Sequence, residues 1–101
     1  MAPCDANTLA KIANGICDNL VTCIIRAWDC GKPLLVFPAM NTYMWTHPIT
    51  EKHIQIISAL PGHQVFNPVE KKLACGDFGM GALAPVEQIV EAIMQHARRK
   101  K

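Results

Sequence analysis

The chain has no uninterrupted apolar run approaching the roughly 18 residues that a membrane span requires. It also has no charged-then-apolar leader ahead of a cleavage site. Membrane spanning and secretion are disfavoured, and a cytoplasmic location is expected. The five cysteines, Cys4, Cys17, Cys23, Cys30 and Cys75, are odd in number and contain no C-x-x-C pair. The four histidines, His47, His53, His63 and His96, place no two rings at ligand spacing on one helix face. Reduced thiols and no metal site are the expectation. Charge is sparse, at 18% of residues, with no basic stripe interleaved with aromatics, which argues against nucleic acid as a partner. The formal charge of +2 is a property of the tail: without Arg98, Arg99, Lys100 and Lys101, six basic groups face eight acidic ones.

What is present is a globular composition. Half of the 101 residues are hydrophobic, so the chain needs a packed core or a partner surface. The length allows one small domain, which buries about 60 to 70% of its unfolded surface.

Between Asp5 and Trp28, Ile12, Ile16, Leu20, Ile24 and Trp28 step by four, which predicts two helices in series broken at Asn14-Gly15. Asp5 or Asn7 would cap the first. Pro33 to Phe37 is a continuous apolar run, the pattern of a strand covered on both faces. Pro48 to Leu60 predicts a helix with Ile49, His53, Ile56, Ile57 and Leu60 on one face, stopped by Pro61-Gly62. A weaker strand follows over Gln64 to Asn67. The glycines of Cys75 to Leu83 read as a loop. Pro85 to Lys100 predicts an amphipathic helix with Val86, Ile89, Val90, Ile93 and Ala97 inward.

Four helices and only two strands leave a parallel strand without enough neighbours. The expectation is an α/β chain forming the C-terminal portion of a Rossmann-like, flavodoxin-like three-layer domain with a parallel sheet, its N-terminal strands missing. Residues 1–101 would be a single partial domain.

Three stretches carry polar or reactive groups where an open α/β sheet binds ligands. "PCDANT", Pro3 to Thr8, places small polar residues at a helix start, which serves equally as a helix cap and as an anion-binding end. "PAMNTYMW", Pro38 to Trp45, surrounds the lone amide of Asn41 with Met40, Met44 and Trp45, and fits both core packing and the wall of a flat ligand's pocket. "KKLACGDFGMGA", Lys71 to Ala82, places a thiol and a pair of lysines beside glycines. It reads as a flap over an anionic substrate or as a surface loop with an inert cysteine.

Together these stretches, with the first extended as "PCDANTLAKIANGICDNLVTCIIRAWD", resemble the eukaryotic phosphopantothenoylcysteine decarboxylases within the flavin-containing cysteine decarboxylase family. The likeness runs through nearly the whole chain. It implies FMN at the subunit interface of a homotrimer, 4'-phosphopantothenoylcysteine as substrate and 4'-phosphopantetheine as product, in coenzyme A synthesis. Residue by residue, it implies that Asp5, Ala6, Asn7, Thr8 and Ala39 contact FMN. Asn41 would hold the substrate carboxylate, with Met44 shaping the same site. Lys72, Ala74 and Leu83 would touch substrate, and Cys75 would donate the proton that completes reduction of the enethiol. Oxidation of the thiol side to a thioaldehyde is what makes loss of CO2 feasible in that chemistry. The family's catalytic-base histidine belongs to a part of its members not represented here, and none of the four histidines matches it. An alternative implied by the same resemblance is a regulatory or structural subunit, paired with a catalytic paralogue or a protein phosphatase.

Overall fold

A computed structural model describes residues 1–72 and 78–99 of the chain. In order these form α1 (Ala6–Asn14), α2 (Leu20–Arg26), β1 (Leu34–Val36), α3 (Thr42–Thr46), α4 (Pro48–Ser58), β2 (His63–Val65), β3 (Val69–Lys72), β4 (Phe78–Ala82) and α5 (Val86–Arg99).

The apolar run becomes β1, which pairs in parallel with β2 through Leu34 and His63, Leu35 and Gln64, and Val36 and Val65. The N-terminal segment lies along the other edge of β1. Phe37 N–H donates to the Met1 carbonyl, Cys4 N–H to the Phe37 carbonyl and Ala39 N–H to the Cys4 carbonyl, each at 2.9 Å. Three extended segments thus run side by side in parallel, with β1 in the middle.

Side chains alternate across β1 because a strand has a period of two. Leu34 and Val36 join Cys4, Leu9, Ile12 and Ile57 in one cluster, under α1 and α4. Phe37 joins Ala84 and Ala92 in a second cluster, with Leu35, Phe66, Leu83 and Ile89 packed against it. The Phe37 and Phe66 rings stack at 4.6 Å between centroids. Helices therefore cover both faces, and the architecture is α/β in three layers.

Helix ends follow their sequence signals. Asp5 accepts the Thr8 N–H to cap α1, and Gly15 closes it at φ 70°. Asn19 and Thr22 form a capping box on α2. Pro48 opens α4 at a position whose missing N–H costs nothing.

Several expectations need correction. The four-residue stripe does not persist: Ile12 is buried, whereas Ile16, Leu20 and Ile24 are exposed. Gly15 turns the chain in a left-handed conformation, so residues beyond it lose helical phase with Ile12. In α4 only Ile57 of the expected face is buried, and Ile49, Ile56 and Leu60 are exposed. The helix expected from Pro85 to Lys100 forms, but Val86, Val90 and Ile93 are exposed and Ala92 faces the core. The glycine-rich segment is not simply a loop, because Phe78–Ala82 forms β4 in an antiparallel pair with β3. The loop after β1 likewise contains a short helix, α3.

Candidate functional site

At the carboxyl end of the parallel sheet, two stretches distant in sequence become neighbours. Cys4 bridges Pro38, and its carbonyl accepts the Ala39 N–H at 2.9 Å. Asp5, Ala6, Asn7 and Thr8 at the start of α1 are thereby set beside Ala39. Asp5 Oδ1 accepts the Thr8 N–H at 2.8 Å, and Thr8 holds the Asp5 carboxyl below its ordinary value through side-chain and then backbone hydrogen bonding. The N–H groups of Ala6 and Asn7 lie in the first turn of α1, where no intrahelical acceptor exists. This end of the helix offers donors and the positive pole of its dipole.

Cys4 itself is fully buried. Burial first, then the neighbouring Asp5 charge, push its thiol up to about 11. It is a core residue of the strand end and remains a neutral thiol at neutral pH.

The chain then enters the second stretch. Asn41 is exposed and caps α3 by accepting the Met44 N–H on Oδ1 at 2.9 Å. This explains part of the amide: its oxygen is used locally, and its Nδ2 has no hydrogen bond among the described residues. Met44 is 49% exposed. Asn41, Tyr43, Met44, His47, Ile49 and Thr50 line an open concavity of about 490 Å³. Two of its lining residues are held locally: Thr50, a buried residue whose hydroxyl donates to the Met44 carbonyl, and His47, whose Nδ1 accepts the Ile49 N–H at 3.1 Å.

The third stretch reaches this loop through β4. Met40 N–H donates to the Gly81 carbonyl at 2.8 Å, and Thr42 Oγ1 donates to the Met80 carbonyl at 3.1 Å. Lys72 ends β3, its backbone paired with Phe78. Leu83, just past β4, is partly buried against the Phe37 cluster, so it faces the core more than the concavity. Ala74 and Cys75 lie outside the described residues.

Sequence reasoning did not single out Thr42, Thr50, His47 or Gly81. The only signal available was the glycine, which a close backbone approach or positive φ explains. The Thr42 hydroxyl contact joins residues 38 apart in sequence and leaves no local pattern. Among the described residues, no group of three or more His, Cys, Asp or Glu is placed to hold a metal ion, and no helix is long and apolar enough to cross a membrane.

A strand end feeding a helix N-terminus beside a second strand end is the geometry of a mononucleotide site in an open α/β sheet. The comparisons agree: residues 1–98 match the Flavoprotein family, and the chain belongs to that family. Its relatives include a phosphopantothenoylcysteine decarboxylase of Mus musculus, 57% identical over 92% of this chain and 45% of the relative. A probable phosphopantothenoylcysteine decarboxylase of Arabidopsis thaliana is 56% identical, over 92% of this chain and 46% of the relative.

Solved structures show the same fold. A phosphopantothenoylcysteine decarboxylase variant complexed with pantothenoylaminoethenethiol superposes with a TM-score of 0.86 at 53% identity, covering 93% of this chain and 51% of that one. The FMN binding protein AtHal3 superposes at 0.87 with 51% identity, covering 99% and 54%. The chain therefore spans about half the length of the relatives it matches.

Proposed function

We propose that this chain contributes the substrate-holding side of an FMN-dependent phosphopantothenoylcysteine decarboxylase, converting 4'-phosphopantothenoylcysteine to 4'-phosphopantetheine. The observation that carries this reading is the convergence of Asp5–Thr8, Ala39 and the Asn41 concavity at one end of the sheet. The relatives named for this activity, more than half identical to this chain, support it.

The residues fit a flavin mononucleotide. Ala6 and Asn7 present the unpaired N–H donors of the α1 N-terminus, Asp5 and Thr8 flank them as cap and capped residue, and Ala39 lies beside them on the neighbouring strand end. FMN, when bound, would take up the two electrons released when the thiol side becomes the thioaldehyde that serves as electron sink, and would return them to reduce the enethiol.

The chain's own residues bind and position. Asn41 Nδ2, unused by the cap, donates to the substrate carboxylate, and the apolar Met44 side chain flanks it. A neutral donor suits a group that leaves as neutral CO2, because it orients the carboxylate with less ground-state stabilisation than a full charge gives. Lys72 and Ala74 contact the substrate from the third stretch, and Leu83, just past it and only partly buried against the Phe37 cluster, touches it with the side left open. Cys75 Sγ gives its proton to the enethiol carbon as the product is completed. The oligomer that goes with this reading is a homotrimer in the cytoplasm.

The test supplies the rest of a domain from a relative. Co-expressed with the N-terminal portion of a phosphopantothenoylcysteine decarboxylase, the chain is expected to retain FMN by absorbance and to release CO2 from 4'-phosphopantothenoylcysteine. Asn41→Asp should abolish release through charge repulsion. Flavin-loaded complexes that leave the substrate intact would overturn the proposal. Light scattering reports the oligomer.

A further inference from the structure

The two side chains that flank α3 make the same kind of bond. Asn41, just before it, accepts the Met44 N–H on Oδ1 at 2.9 Å. His47, just after it and the cap of α4, accepts the Ile49 N–H on Nδ1 at 3.1 Å. Each cap occupies an acceptor and leaves a donor. In a neutral imidazole one nitrogen accepts and the other carries the proton, so the capping bond puts the His47 proton on Nε2. Neither Asn41 Nδ2 nor His47 Nε2 has a hydrogen bond among the described residues.

Both residues line the concavity of about 490 Å³. Met44 and Ile49 add apolar surface to the same wall, 49% and 45% exposed. No carboxylate lines it among the described residues, and the Thr50 hydroxyl gives its proton to the Met44 carbonyl. The wall therefore combines two free donors with apolar surface. Its complement is a ligand whose two acceptors are joined by methylene groups.

The spacing selects among the acceptors of such a ligand. From Asn41 to His47 the chain rises roughly 9 Å in helical geometry. In an extended chain at about 1.2 Å per bond, a carboxylate held at Asn41 brings the second amide carbonyl of 4'-phosphopantothenoylcysteine, between β-alanine and the pantoyl group, closest to that span.

We propose that His47 is a specificity-determining residue: its Nε2–H donates to an amide carbonyl of the pantothenoyl arm, while Asn41 takes the carboxylate. The identity of the ligand rests on the decarboxylase reading; the donor lining does not. A cysteine derivative without the arm forgoes this bond.

Three variants separate the donor from the cap. Asparagine and aspartate at position 47 both cap a helix, but only asparagine keeps a donor. Alanine has neither and carries no charge. The probe is 4'-phosphopantetheine, which retains both amides, lacks the carboxylate and is not turned over. Its Kd is measured by titration calorimetry on the FMN-loaded complex with the N-terminal portion of a relative. Binding should weaken about fivefold in His47→Asp and His47→Ala, the factor that one neutral hydrogen bond supports, and stay near the parent's in His47→Asn. Weakening in His47→Asp alone would be charge repulsion, and weakening in His47→Ala alone would be the lost cap. Either pattern, or no change, overturns the proposal.

Turnover of 4'-phosphopantothenoylcysteine in the same variants should show KM rising with the probe's Kd while kcat holds, the mark of a contact made equally in ground and transition states. A fall in kcat with KM unchanged overturns it as well. A parent complex that binds 4'-phosphopantetheine but releases no CO2 removes the decarboxylase reading and leaves the calorimetric series to decide His47. One that releases CO2 but shows no difference among the variants keeps that reading and removes the His47 contact.

Discussion

The Cys4 carbonyl accepts the Ala39 N–H at 2.9 Å, joining residues 35 apart in sequence at the end of the parallel sheet where Asp5 begins a helix. Because the donor and acceptor are backbone groups, the pairing depends on strand geometry and not on either side chain. It sets the helix N-terminus beside the loop that leads to Asn41.

Cys4 gives this junction a pH dependence. Burial pushes its thiol up to about 11, above the ordinary 9.0. Below pH 9 both folded and unfolded chains hold the proton. Between 9 and about 11 the unfolded chain releases it more readily, so stability falls as pH rises through this window. Thermal melts from pH 8 to 11 are expected to show this decline, and Cys4→Ala should flatten it. In a Cys75→Ser background at neutral pH, maleimide should label exposed Cys17, Cys23 and Cys30 well before Cys4.

Asp5→Ala should destabilise the chain by about 1 kcal/mol, the usual cost of losing an N-cap, measured by urea unfolding at pH 7. Asp5→Asn should keep most of that stability, since an amide oxygen also caps. The two differ in acid. The Asp5 carboxyl is held low by Thr8, so its contribution is present above the unfolded value near 3.8 and is lost as pH falls through its lower folded value. Asp5→Asn should lack this acid-dependent component.

Phe37→Ala should cost about 3 to 5 kcal/mol. Phe37 is 2% exposed, stacks on Phe66 and anchors the cluster under α5. Loss of the cooperative transition in a thermal melt is the expected outcome for so small a domain. An unchanged melting curve would contradict the packing described.

Gly81→Ala should destabilise by more than about 1 kcal/mol, because alanine is strained at this positive φ and its Cβ would overlap the Met40 carbonyl. Gly31→Ala provides the comparison: Gly31 is exposed, its φ lies outside the glycine-favouring range, and its nearest neighbour is the Asp29 side chain at 3.2 Å. Differential scanning calorimetry on the two variants reads the contrast.

Most helix positions were legible because their signals are local: Asp5 and Pro48 act within one turn, and Gly15 ends α1 by its own backbone freedom. The Asn19 capping box and the short α3 behind Asn41 were not read. The burial of each helix was less legible. Ile16, Ile24, Val86 and Val90 obey a helical period yet are exposed, since periodicity identifies an apolar stripe but not what covers it. The hairpin was missed for a related reason. "FGMGA" has poor strand propensity, and β4 forms through its pairing with β3 and its contacts with Met40 and Thr42.

By itself, the sequence determined the apolar strand, the helix starts near Asp5 and at Pro48, and the likeness that assigns the chain to its family, since each depends on residue types at short spacing. Tertiary structure decided which segments meet: Cys4 with Ala39, and Gly81 with Met40. Those contacts are made by backbone atoms distant in sequence, and a carbonyl or an N–H has no letter of its own.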